Sequence, residues 1–99
     1  MKIERITDTI PVKIERFAED HDLTMVVVAP CDALSPDYKA YFKGVEIIAR
    51  DGFLFGLGGY GSTEADAINA YAKIISLQTI RITGGKRIDV PELAVYHNR

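Results

Sequence analysis

The sequence predicts an α+β fold: an antiparallel sheet with two helices packed on it and a further β-hairpin after the second helix. Three observations support this class. Two segments carry apolar residues at helical spacing, β-branched runs lie between and after them, and Asp51-Gly52 and Gly84-Gly85 are typical of tight turns. The chain of 99 residues supports one modest core, so we expect a single domain whose end segments, 1–8 and 92–99, are peripheral.

The N-terminal part predicts a helix followed by a strand. A helix from about Pro11 to His21 is indicated by apolar residues that share one helical face: Ile10, Ile14, Phe17 and Ala18. Leu23 to Ala29 contains the run Met-Val-Val-Val, which favours an extended conformation. Because apolar residues fall on both faces of this segment, we expect a central strand buried on both sides.

A hairpin is predicted from Tyr38 to Ala49 and Phe53 to Gly59, with Asp51-Gly52 as a two-residue turn that sets Ile48 opposite Phe55. One face of this hairpin is too apolar to remain in water. A helix, the C-terminal segment or a second subunit would have to cover it. The candidate interface residues on this face are Phe42, Ile48, Phe53, Phe55 and Leu57.

A second helix is predicted to follow the glycine-rich segment and to end near Ser76. Thr63 and Asp66 stand in the relation of N-cap and third helical residue, which favours helix initiation. The predicted buried stripe consists of Ala65, Ile68, Ala72 and Ile75, with Tyr71 on its flank. Its small side chains fit close packing against the glycines of the hairpin, Gly56 and Gly58.

The last two strands, within Leu77 to Val90, are predicted to flank a three-residue loop from Gly84 to Lys86. This register places Arg81 across from Asp89, a favourable combination of opposite charges.

Gly56-x-Gly58-x-x-Gly61 has the spacing of the dinucleotide-binding fingerprint and lies between a predicted strand and a predicted helix. The antiparallel setting, the short chain and the acidic helix start argue against a dinucleotide, so we interpret the glycines mainly as a packing surface. Another anion at this turn is an alternative, together with phosphate contacts by the basic second hairpin. The ligand-binding candidates are Gly58, Gly59, Gly61, Ser62, Thr63, Arg81 and Arg87.

Composition and residue pairing argue against several classes of function. The net charge of −2 fits neither a basic nucleic-acid-binding arm nor a highly acidic DNA mimic. One cysteine, Cys31, excludes an internal disulfide, and neither His21 nor His97 has a partner for catalysis. We expect no enzyme, no cofactor, no metal and no membrane contact, and a cytoplasmic location. Aromatic residues are assigned mainly to the core, with an aromatic binding surface as the alternative: Tyr38, Tyr41, Phe42, Tyr60 and Tyr71.

The succession of hairpin, glycine-rich strand end, Ser62-Thr63 cap and alanine-bearing helix resembles the second half of a double-stranded-RNA-binding domain. The preceding helix and strand complete a similar α-β-β-β-α order. That family contacts RNA through lysines at the start of the last helix, where this chain has Thr63-Glu64-Ala65-Asp66. The resemblance therefore implies the fold, with nucleic acid as an unfavoured partner. HicB-type antitoxins share a similar strand-glycine-helix pattern and a related fold.

A second resemblance covers most of the chain from about Leu23 onward. Small uncharacterised proteins of tailed phages and prophages have a similar order of motifs, which here occupy residues 44–46, 59–63, 64–68, 75–79 and 87–93. The resemblance implies a phage or prophage origin and, in that case, a location in the host cytoplasm.

These observations lead to two hypotheses for function. The first is a non-enzymatic phage or prophage accessory protein that binds a macromolecular partner, either another protein such as a host defence factor or a second copy of itself. The alternative is a protein that binds a nucleotide, another anion or nucleic acid through the glycine-rich turn and the basic hairpin.

Overall fold

The computed structural model describes residues 12–30, 37–48, 54–56 and 58–96. Within these residues the chain has two helices and antiparallel strands, and the predicted α+β class is confirmed. The elements in chain order are α1 (Ile14–Asp20), β1 (Met25–Val28), β2 (Tyr38–Phe42), β3 (Val45–Ile48), β4 (Leu54–Phe55), β5 (Gly59–Gly61), α2 (Glu64–Ile75), β6 (Thr79–Ile82) and β7 (Arg87–Asp89). Helix α1 is shorter than predicted, and the predicted Asp51-Gly52 turn lies outside the described residues.

The strands form two antiparallel sheets rather than one. The first sheet has the order β1-β2-β5, and the second has the order β4-β3-β6-β7. In the described part of the chain β1 pairs only with β2, so the expectation of a central strand is wrong. Residues Met25 to Val27 are partly buried, and Val28 is 41% exposed.

The predicted hairpin extends across both sheets. Strand β2 passes into β3 through Lys43 and Gly44, and Gly44 has a φ angle of +71°, a conformation that favours glycine. Its two arms pair as Ala40 with Gly59 in the first sheet and Ile47 with Phe55 in the second.

The predicted pairing of Ile48 with Phe55 is wrong by one residue. Strand β3 also pairs with β6, which sets the buried Ile47 beside the buried Ile80. The predicted hairpin had two strands and did not include β6. The buried position of Ile47 selects the observed register.

One hydrophobic core extends from the helix-covered face of the first sheet to the second sheet. Phe42 is 1% exposed and lies between the two helices. Its ring centroid is 6.2 Å from that of Phe17 on α1 and 5.4 Å from that of Tyr71 on α2, the latter in an edge-to-face arrangement. Ile80 and Ile88 contribute to the same core from the second sheet.

Helix α2 begins as predicted. The Thr63 hydroxyl accepts a hydrogen bond of 3.1 Å from the backbone N–H of Asp66, and the helix ends at Ile75 with Ser76 as the C-cap. Its buried residues are Ala67, Ile68, Tyr71, Ala72 and Ile75. The predicted stripe is therefore wrong in including Ala65, which is only partly buried, and in placing Tyr71 on the flank.

Glycines let α2 approach the sheet closely. The two glycines that do so are Gly59 and Gly61, whereas Gly56 and Gly58 were predicted. A Cβ atom on Gly59 would collide with the backbone nitrogen of Tyr71 and the carbonyl oxygen of Ala67. A Cβ atom on Gly61 would lie 2.6 Å from the backbone nitrogen of Ala67. Gly56, by contrast, has no such neighbour within 4 Å. The packing interpretation is therefore wrong for Gly56 and Gly58, where an added Cβ would not meet α2, and it applies to Gly59 and Gly61.

The C-terminal hairpin has a three-residue loop, one residue earlier than predicted. The backbone N–H of Ile82 donates to the carbonyl of Lys86, and Gly84 and Gly85 have φ angles of +105° and +94°. These glycines occupy the loop positions that require positive φ. Arg81 consequently pairs with Arg87, so the predicted pairing of Arg81 with Asp89 is wrong.

The described part of the C-terminal tail packs closely, contrary to the expectation that residues 92–99 are peripheral. The Asn69 side chain on α2 hydrogen-bonds both the N–H and the carbonyl of Tyr96. The backbone N–H of Leu93 donates to the Ser76 hydroxyl at 3.1 Å, and Leu93 forms a parallel bridge with Val12. The tail therefore fastens the start of α1 to α2.

Candidate binding face

The first sheet has one face that the helices do not cover. Direct pairing aligns Val28, Lys39 and Tyr60 in one row across the three strands, and Val26 with Tyr41 in the next. Paired residues of an antiparallel sheet point to the same side, opposite to that of Ala40 and Phe42. We call the surface formed by Val26, Val28, Lys39, Tyr41 and Tyr60 the outer face.

The outer face is aromatic and carries a positive charge. Tyr60 is 59% exposed, and the Lys39 ammonium lies 5.8 Å from the centroid of its ring and 5.4 Å from that of Tyr41. These distances are within the range of cation–π attraction, which holds the lysine between the two tyrosines. A Cβ atom on Gly58 would lie 2.7 Å from Cε of Lys39, so this glycine leaves space for the lysine side chain.

A cleft continues from the outer face toward the second sheet. It has a volume of about 290 Å³, and its lining includes Lys39, Tyr41, Glu46 and Thr83. A smaller cleft of about 180 Å³ is lined by Glu46, Thr83 and Arg81, among others. Because Glu46 and Thr83 belong to both clefts, the surface runs without a break from the tyrosines to the second hairpin.

The second sheet presents a row of charges at the end of this surface. Strand pairing aligns Glu46, Arg81 and Arg87 across β3, β6 and β7, and all three residues are exposed. Arg81 and Arg87 are like charges directly opposite each other, which is unfavourable, and the carboxylates on the same face are those of Glu46, opposite Arg81, and Asp89, two residues from Arg87. Within the described chain the ion pair present is Arg16 with Asp20, so neither arginine is neutralised there. The row can therefore attract an anion.

Charge is distributed unevenly over the molecule. The segments 37–48 and 79–90, which hold β2, β3, β6 and β7, contain five basic and three acidic side chains. Helices α1 and α2 contain two basic and five acidic side chains. The global net charge of −2 thus conceals a more positive sheet region and a more negative helical region.

The glycine-turn candidates serve the fold. Gly59 and Gly61 pack against α2, and Thr63 caps the helix. The Ser62 hydroxyl donates a 3.0 Å hydrogen bond to the Asp66 carboxylate, which adds negative charge where a phosphate would have to lie. These contacts favour a structural role for Gly59, Gly61, Ser62 and Thr63. Gly58 lies beneath Lys39, and Arg81 lies opposite Arg87 on the neighbouring strand.

The predicted apolar interface is not brought together in the described chain. Phe42 belongs to the core, so its assignment to an interface is wrong, and Ile48 is partly buried. Phe53, Leu57 and the side chain of Phe55 lie outside what the structure describes.

Sequence reasoning did not select Lys39, and it named Tyr41 and Tyr60 only in the alternative of an aromatic binding surface. The alternation of Tyr38 to Phe42 was the available signal, because period-two spacing separates Lys39 and Tyr41 from Ala40 and Phe42. It indicates two faces without indicating which face the helices cover.

The described residues offer neither a metal-binding cluster nor a membrane-spanning helix. They contain no group of three or more His, Cys, Asp or Glu side chains arranged to hold a metal ion. None of their helices combines the length and apolar character needed to cross a membrane.

Comparison of the chain with protein-family models, with curated proteins and with solved structures found no match.

Proposed function

We propose that this chain is a non-enzymatic accessory protein of a tailed phage or prophage that binds a macromolecular partner through its outer face. The observation that carries the proposal is the exposure of Tyr60, 59%, beside Lys39 and Tyr41 on the sheet face that the two described helices do not cover. Tyrosine is enriched at the centres of protein interfaces, where its ring offers a large contact area and its hydroxyl a hydrogen bond.

The described part of the fold does not account for the exposure of Tyr60, whereas Tyr41 is partly buried and packs against the core. Helix α2 packs on the opposite side of the sheet, where the backbone of Ala67 and Tyr71 lies against Gly59. A tyrosine that remained solvated would contribute little to folding, whereas the same ring contributes substantially once a partner covers it. Binding is therefore the function that best accounts for the outer face.

The phage assignment depends on the order of motifs in the sequence, and it makes the host cytoplasm the proposed location. A host defence factor is the protein partner that this origin favours, and a second copy of the chain is the other. In either case the outer face should be buried in the complex.

The proposal can be tested by photo-crosslinking in host cells. A photoreactive phenylalanine analogue such as p-benzoylphenylalanine at position 60 would lie on the outer face, and the same group at the exposed Lys73 would lie on α2. We expect a discrete crosslinked species from position 60 that is weaker or absent from position 73. Its mass and its sensitivity to protease or nuclease identify a protein, a nucleic acid or a dimer of the chain.

Equal crosslinking from both positions, or none from position 60, would contradict the use of the outer face. The matched comparison is the crosslinking protein that also carries Tyr41→Ala. This substitution removes the neighbouring ring and leaves the photoreactive group in place. It should reduce the crosslinked yield several-fold if the two rings act together.

Small-anion binding is a second candidate, favoured by the direct pairing of Arg81 with Arg87. Titration with inorganic phosphate, followed by NMR of the arginine Nε–H groups, tests it. Saturable shifts at both arginines that disappear in Arg87→Gln would support this function, and unchanged spectra up to millimolar phosphate would contradict it.

A further inference from the structure

The chemistry of the outer face and the adjoining clefts restricts the class of partner. Tyr60 exposes most of its ring, and Tyr41 lies in the neighbouring row of the same face. Aromatic rings on a sheet provide stacking surfaces for nucleobases, and the stacking is tolerant of sequence because every base has a π-face. The Lys39 ammonium between these rings adds a positive charge at the distance where a nucleotide phosphate would lie.

The route from the tyrosines to the arginines offers a linear polyanion three basic side chains, Lys39, Arg81 and Arg87, with the carboxylate of Glu46 between them. The two clefts share Glu46 and Thr83 and lead from Lys39 and Tyr41 to Arg81. Arg87 lies opposite Arg81 on the next strand, and a phosphate near both would relieve their repulsion. A flat protein partner would gain from the tyrosines but would not by itself account for the paired arginines.

The position of the acidic residues agrees with this assignment. Five of the acidic side chains are on α1 and α2, on the side of the first sheet away from the outer face. A polyanion that approaches the outer face therefore meets the more positive part of the molecule, despite the net charge of −2.

We infer that the outer face binds single-stranded nucleic acid, with bases stacked on Tyr41 and Tyr60 and phosphates contacted by Lys39, Arg81 and Arg87. This inference rests on the proposed function, because it names the partner of the same face. A single strand is required, since the bases of a duplex are paired and stacked and cannot offer their faces to the tyrosines. The start of α2, from Ser62 to Asp66, takes no part in the contact.

Fluorescence anisotropy with three labelled probes tests this inference: the 15-mers dT15 and rU15, and a 15-base-pair DNA duplex. The full chain should bind at least one single strand at least about tenfold more tightly than the duplex. With three phosphate contacts, affinity for the single strand should fall roughly 20-fold between 50 and 200 mM salt.

Four variants locate the contact. Tyr60→Ala should weaken binding about tenfold, whereas Tyr60→Phe, which keeps the ring, should stay within about twofold of the original protein. Lys39→Gln should weaken binding and reduce the slope of log affinity against log salt by about 0.7. The control Lys73→Gln removes an equal charge from the exposed face of α2 and should leave both affinity and slope unchanged.

Two results would overturn the inference: no binding of either single strand at 50 mM salt, or equal loss of affinity in Lys73→Gln and Lys39→Gln. If the oligonucleotides fail while position 60 still crosslinks to a protein, the outer face functions in binding but its partner is a protein. If crosslinking from position 60 also fails, both the proposed function and this inference are contradicted.

Discussion

The two faces of the first sheet are built from alternate residues of the same strands, and they have opposite surroundings. On β2, Ala40 and Phe42 are 0% and 1% exposed beneath the helices, whereas Lys39 and Tyr41 belong to the outer face. On β5, Gly59 is buried against α2 while the next residue, Tyr60, is largely exposed. Because side chains alternate between the two faces, the residues on the helix-covered face stabilise the fold and those on the outer face are available for binding.

The largest expected effect separates two neighbouring aromatic residues. Phe42→Ala should reduce the free energy of unfolding by about 4 kcal/mol, because it removes a buried ring in contact with Phe17 and Tyr71. Tyr41→Ala should cost less, about 1.5 kcal/mol, since Tyr41 is only partly buried and packs against the edge of the core. Urea denaturation of both variants measures the difference, and equal losses would show that the two faces are not distinct in stability.

A smaller effect is expected where helix and sheet approach most closely. Gly59→Ala should reduce the free energy of unfolding by about 3 kcal/mol, because the added methyl group meets the backbone of α2 rather than a movable side chain. Gly56→Ala is the matched control: its Cβ has no neighbour within 4 Å and its φ is not positive. It should leave stability unchanged or raise it by up to about 1 kcal/mol. Similar thermal midpoints for the two variants would contradict the close packing at Gly59.

The helix cap contributes less. Thr63→Ala should cost about 1 kcal/mol, because it removes the hydrogen bond that the Thr63 hydroxyl accepts from the Asp66 N–H. Thr63→Ser keeps the oxygen and should retain most of the stability. Far-UV circular dichroism during thermal unfolding detects both changes. An Ala variant as stable as the Ser variant would show that the Thr63 cap does not contribute to stability.

The smallest effect at neutral pH, and the most specific at high pH, concerns Tyr71. Burial raises the pKa of its hydroxyl above the ordinary value of 10.0, while a hydrogen bond with the backbone of Phe42 acts in the opposite direction. Its stabilising contribution is present below the unfolded pKa and is lost as pH rises through the folded pKa, since the unfolded chain then releases the proton more readily. The original protein should therefore lose more stability than Tyr71→Phe when pH rises above about 10. Parallel urea titrations test this, and identical pH dependence would contradict the burial of the hydroxyl.

Local patterns were sufficient to predict part of this structure. The α+β class, the Thr63 cap and the end of α2 near Ser76 follow from residue spacing and capping chemistry, which act within a few residues. The pairing of strands, by contrast, depends on residues that are far apart in the sequence. The register around Ile47 depends on β6, more than 30 positions away in the chain, and no pattern within the first hairpin contains that information.

The candidate site was less accessible to sequence reasoning for the same reason. Arg81 and Arg87 were selected, but their direct pairing depends on the glycine φ angles of the second hairpin. Lys39 and Tyr60 are brought together only by the pairing of β2 with β5. The GxGxxG motif suggested a ligand-binding turn. In the structure, Gly59 and Gly61 are needed for the close approach of α2.

The most direct test of the central claim measures crosslinking and stability in two variants, each of which has both outer-face rings altered. Crosslinking is followed from the photoreactive group at position 60 in the presence of Tyr41→Ala, and unfolding is followed in the Tyr41→Ala/Tyr60→Ala double variant. We predict that the free energy of unfolding stays within about 2 kcal/mol of the original value while the crosslinked species falls several-fold. A double variant as unstable as Phe42→Ala, or an undiminished crosslink, would contradict the assignment of binding to the outer face.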